Sequence, residues 1–102
     1  MKKSELTANE QTLITHMQQI NFGRIRVRIR NHEPDLQTLE IVREVKFKKD
    51  NAPNLLYLKT DYALKKEIVE FIEHIHRLND QSIEIIVQKG IPTNMKVFYK
   101  AS

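Results

Sequence analysis

Four arginines at alternate positions, Arg24, Arg26, Arg28 and Arg30, are the most distinctive chemistry in this sequence. Alternate residues of a strand project from one face about 7 Å apart, comparable with the spacing of backbone phosphates, so the run fits an anion-binding ladder. Arg43 extends the candidate set. No Phe or Tyr interleaves the arginines, so the stacking platform of a single-strand binder is missing and duplex or other phosphate contact is left. A solvated outer face explains the same pattern if cross-strand carboxylates neutralise the ladder, and exposed pairs of that kind contribute little.

The remaining reactive side chains do not assemble into a catalytic set. His74 and His76 sit two residues apart, about 200° around a helix, and cannot chelate one ion together. Glu70 with His74, and Glu73 with Arg77, have the spacing of ordinary helix-surface pairs, and no third or fourth metal ligand accompanies them. Ser4, Ser82 and Ser102 lie outside any glycine-flanked nucleophile turn. Gly23 and Gly90 are the only glycines, too few for a phosphate-cradling loop. Glu67 and Glu70 read as solvated helix charges. The expectation is a protein that is not an enzyme, with no metal and no cofactor.

The elements that must hold the ladder follow from pattern. Thr7-Ala8-Asn9-Glu10 has capping-box spacing, which starts a first helix. Leu13, Ile14, Met17 and Ile20 form its apolar stripe, with Gln11, Thr15, Gln18 and Gln19 facing elsewhere, and Asn21-Phe22-Gly23 ends it. The alternation from Arg24 to Arg30 predicts a half-buried strand with Ile25, Val27 and Ile29 inward. A turn over 31–37 leads to a returning strand from Thr38 to Phe47. Pairing Arg30 with Thr38 sets Arg28 opposite Glu40, Arg24 opposite Glu44, Ile29 opposite Leu39 and Val27 opposite Ile41, leaving Arg26 and Arg30 without facing carboxylates.

Lys48 to Asn54 reads as a loop, and Leu55 to Leu58 fits either a short buried strand or an extended connector. Thr60 and Asp61 can cap a second helix with Leu64, Ile68, Phe71, Ile72, Ile75 and Leu78 on its apolar face. Ser82 to Gln88 alternates again, turns through 89–93, and returns with Met95, Val97 and Tyr99. Pairing Val87 with Met95 and Ile85 with Val97 leaves Ile86 and Phe98 on the outer face as an interface candidate, unless Leu55 to Leu58 covers them.

The predicted fold class is therefore α+β, two helix-hairpin units in the order α-β-β-α-β-β whose strands join into a mainly antiparallel sheet with both helices on one face. At 102 residues, 40% apolar and 29% charged, the chain has the size of a single domain, 1–102, with units over 4–48 and 55–101 sharing one core. Cysteine is absent, which excludes disulfides and thiolate chemistry and suits a cytoplasmic location. Neither an export signal nor a membrane span is indicated. The net charge of +4 permits an anionic partner without requiring one.

The run Glu10-Gln11-Thr12-Leu13-Ile14 through Ile20-Asn21-Phe22-Gly23-Arg24-Ile25, followed by an alternating strand and a turn, resembles the small bacterial YezD-like helix-plus-hairpin domains of unknown function. The resemblance covers roughly residues 9 to 42. It departs at Asn31-His32-Glu33-Pro34, where the usual turn glycine is missing, and in the whole second unit. It implies a bacterial or phage context and transfers no site residue.

Taken together, these features predict a small non-enzymatic binding or regulatory module. Its basic β face, with Arg24, Arg26, Arg28, Arg30 and Arg43, would contact an anionic partner, nucleic acid in the first place and an acidic protein in the second. The alternative is a protein-interaction module or homodimer that uses Ile86, Phe98 and the edge of the sheet, with the arginines serving solubility and local pairing.

Overall fold

The computed structural model describes residues 1–45, 47 and 64–99. Helix α1 spans Ala8–Ile20 and begins at a complete capping box: Glu10 N–H donates to Thr7 Oγ1 at 3.2 Å, and Thr7 N–H donates to Glu10 Oε1 at 3.0 Å. Each bond satisfies an amide that the first helical turn cannot satisfy itself. Leu13, Ile14, Met17 and Ile20 are buried as their spacing predicts, and Gln18 is buried with them rather than facing solvent. A short 3-10 turn, Lys3–Glu5, precedes α1 and folds Lys3 inward, where its Nζ donates to Thr15 Oγ1 at 2.9 Å. Burial lowers the Lys3 pKa from its usual value.

Strand β1, Gly23–Arg30, runs antiparallel to β2, Glu33–Arg43, and on its other side to β3, Gln81–Gln88. Strand β4, Ile91–Phe98, pairs antiparallel with β3, so the sheet order is β2-β1-β3-β4. Helix α2, Lys66–Ile75, lies between β2 and β3 in the chain. The fold is α+β, with two α-helices and a four-stranded antiparallel sheet among the described residues. Ile25, Val27, Ile29, Ile83, Ile85 and Val87 form one core cluster with Leu13, Ile14, Met17, Ile68, Phe71, Ile72 and Ile75, so the helices cover one sheet face.

Both hairpins turn in two residues. Asn31 and His32 have φ of 52° and 63°, and Lys89 and Gly90 have 53° and 77°, so both central residues of each turn are left-handed, the twist that matches paired strands. The first turn is thus shorter than the expected 31–37, and β2 starts at Glu33 rather than Thr38. Two side-to-side ties anchor these turns: Asn31 N–H donates to Asn79 Oδ1 and Gly90 N–H donates to the Asn21 carbonyl, each at 2.9 Å.

Gly23 is required by close approach. With φ at 155°, a Cβ built there would collide with the Val42 carbonyl oxygen of β2.

The second helix also begins later than its sequence suggests. Lys65 is its N-cap and makes no side-chain capping bond, while Leu64 precedes the helix and donates its N–H to the Met1 carbonyl at 3.0 Å. Leu64 and Leu78 still pack on the core, from outside the helix ends. The expected loop at 48–54, the segment 55–58 and the Thr60 cap lie outside the described residues.

Candidate binding surface

The sheet face turned away from the helices carries the arginine ladder in transverse rows, because directly opposed residues of antiparallel strands share a face. One row is Val42, Arg24, Ile86 and Asn94. The next is Glu40, Arg26, Glu84 and Lys96, alternating in sign across all four strands. A third holds Asp35, Arg28, Ser82 and Phe98, and Arg30 opposes Glu33 at the end.

This register corrects the expected one. Arg26 and Arg30, predicted to lack facing carboxylates, oppose Glu40 and Glu33, whereas Arg24 opposes Val42 instead of Glu44 and Arg28 opposes Asp35 instead of Glu40. Two features cause the difference: the two-residue turn starts the pairing earlier, and an irregularity between Arg26 and Arg28 shifts the partner strand. Thr38 closes that irregularity, its Oγ1 accepting the Arg28 N–H at 2.9 Å and donating to the Asp35 carbonyl at 2.7 Å. The second hairpin is likewise displaced: Met95 opposes Ile85 and Val97 opposes Ile83, so Lys96 faces Glu84 and Phe98 faces Ser82.

Three ladder arginines are held by the protein's own acids. Arg26 Nη2 bonds Glu84 Oε2 at 2.8 Å, with the carboxylate buried. Arg28 Nε and Nη2 both donate to Asp80 Oδ1, the first at 3.1 Å. Arg30 Nε lies 3.3 Å from Asp35 Oδ2. The hydrogen bond from Arg26 holds the Glu84 carboxyl below its ordinary range against the opposing effect of desolvation, helped by the charges of Arg26, Lys96 and Arg24. The same bond raises the Arg26 pKa, with the charges of Glu84 and Glu40 adding to it. The Arg26 guanidinium also stands 5.8 Å from the Phe98 ring centre, within cation–π range.

Arg24 differs. Among the described residues no carboxylate lies within ion-pair distance of it, and its row neighbours Val42 and Ile86 are apolar. With Arg26, Glu40, Val42 and Glu84 it lines a shallow depression of about 200 Å³. Arg43 is not part of the ladder face: it opposes Gly23, on the helix side, and borders a hollow with Gln19, Ile20, Glu44 and Val45. Ile86, half-buried, and Phe98, exposed, share the outer face but stand in different rows.

Asp80 and Asp35 escape sequence reading because strand order and the bulge bring them to the arginines. Glu84 had a signal: it is the only charged residue between Ser82 and Val87. Away from this face, Glu10 is buried and its Oε2 contacts His76 Nε2 at 2.6 Å, linking the start of α1 to the end of α2. Among the described residues no group of three or more His, Cys, Asp or Glu side chains could hold a metal ion. No described helix is long and apolar enough to cross a membrane. No protein-family model, curated protein or solved structure matches the chain.

Proposed function

We propose that the chain is a cytoplasmic, non-enzymatic binding module, two helix-hairpin units around one core, whose outer sheet face docks on an acidic protein surface with Arg24 at the centre. One observation carries this reading: Arg24 is the ladder arginine without a carboxylate among the described residues, and it stands between Val42 and Ile86. An exposed arginine without an ion-pair partner among the described residues, flanked along its row by Val42 and Ile86, is the chemistry of a protein-interface anchor, where a partner carboxylate gains a charge-assisted bond. The other basic side chains of the face, Arg26, Arg28, Arg30 and Lys96, oppose or bond Glu33, Asp35, Glu40, Asp80 and Glu84, so little free positive charge is left to neutralise several phosphates of a nucleic-acid backbone at once.

Nucleic acid is the second reading, favoured by the exposure of two paired arginines: the side chains of Arg26 and Arg30 remain 56% and 59% accessible and could exchange carboxylate for phosphate. The two separate by salt dependence, measured as fluorescence anisotropy of labelled poly-glutamate and labelled duplex DNA. An acidic-protein surface predicts poly-glutamate binding that Arg24→Glu abolishes, with a logarithmic salt slope near about −1. Tighter DNA binding with a slope between roughly −3 and −4, the value for four neutralised phosphates, would overturn it.

A further inference from the structure

Arg26 stands between two carboxylates and bonds one of them. Glu40 opposes it from β2 and Glu84 from β3, and its Nη2 donates to Glu84 at 2.8 Å. Glu40 is exposed, and among the described residues no cation lies within ion-pair distance of its carboxylate.

Arg24 is in the same condition with the opposite sign. From Gly23 to Arg26 the pairing of β1 with β2 is regular, so Arg24 and Glu40 are diagonal neighbours on one face, about 7–8 Å apart. Both border one depression. Val42 adjoins the two charges, opposite Arg24 and two residues from Glu40 on the same side of β2, and it is 54% exposed.

Given a partner acid docked at Arg24, on which this step rests, we infer that the same partner segment carries a basic side chain for Glu40, the two placed at alternate positions of an extended chain. Alternate residues of an extended chain project on one side about 7 Å apart, which matches the diagonal. A lysine fits the second position best, because its methylene stem covers Val42 while its ammonium reaches Glu40. Charge selects this occupant. A wholly acidic segment opposes like charges at Glu40, and a wholly basic one opposes them at Arg24 and Arg26, so each is penalised against the mixed sequence.

Two labelled peptides of equal length, repeats of Glu-Thr-Lys-Thr and of Glu-Thr-Gln-Thr, test this by fluorescence anisotropy with the full chain. Long-range attraction to a chain of net charge +4 favours the second, acidic peptide, so a preference for the first reports a local contact. The parent should bind the lysine peptide about twofold to fivefold more tightly, the measure of one exposed ion pair. Glu40→Gln should erase that preference, and Arg24→Gln should weaken both peptides. A parent without the preference, or a preference that survives Glu40→Gln, overturns the inference while leaving the acid contact at Arg24 intact. Binding of both peptides that Arg24→Gln does not weaken would instead refute the docking reading itself. A parent that sediments as a dimer, dissociated by Arg24→Gln or Glu40→Gln, would give the surface to a second copy and overturn the inference as well.

Discussion

Arg26 and Glu84 face each other as the fourth residues of their strands, β1 and β3, which are both eight residues long. The register that opposes them also sets Gly23 against Val87 and Ile29 against Gln81, so a local twofold axis relating the two central strands passes between this pair. The two hairpin turns sit at matching distances from it. Equivalent positions on a twofold would carry like charges in a symmetric pairing; here one is basic and the other acidic, and the axis holds an ion pair instead of a repulsion.

Charge reversal at the axis tests that relationship. Arg26→Glu and Glu84→Arg should each lower the thermal midpoint by opposing like charges, while the double reversal should recover most of the loss, as coupled neighbours do. Equal, additive losses in the double variant would show that the pair contributes nothing as a pair.

Acid should weaken the same contact. The Glu84 carboxyl is held below its unfolded value, so its contribution is full above the ordinary carboxylate range and is lost as pH falls through the depressed folded value. Arg26 stays protonated throughout that window. Denaturation profiles of the parent and Glu84→Gln should therefore differ most near neutrality and converge in strong acid.

Glu10 joins two helices through one buried carboxylate, bonded to Thr7 N–H on one oxygen and to His76 on the other. Thr7→Ala removes only the cap acceptor and should cost about 1 kcal/mol. Glu10→Ala removes both links and should cost more, roughly 1–3 kcal/mol by urea unfolding. Equal costs would mean that the His76 contact adds nothing.

Gly23→Ala should destabilise by about 1–3 kcal/mol, since the added methyl meets a main-chain oxygen and the backbone angle disfavours any side chain. Faster amide exchange at Glu44, whose bond to Phe22 lies beside that contact, would locate the damage; a neutral substitution would contradict it.

What the sequence makes legible here is local. The capping box at Thr7 and Glu10 and the inward set Ile25, Val27 and Ile29 each need only a few consecutive residues, and both stand as read. Register was not legible, because Asn31 and His32 adopt left-handed angles without a glycine and Thr38 closes a bulge that no spacing announces. The ladder's exposure was readable, but its neutralisation was not: Glu84 and Asp80 come from strand β3 and the turn before it, placed beside β1 only by the order of the sheet.

The central claim is that Arg24 alone among the four ladder arginines is available to a partner. Poly-glutamate affinity measured across Arg24→Gln, Arg26→Gln, Arg28→Gln and Arg30→Gln tests it most directly. A loss confined to Arg24→Gln, about tenfold or more for one charge-assisted contact, is the predicted result; equal losses in all four variants would contradict it.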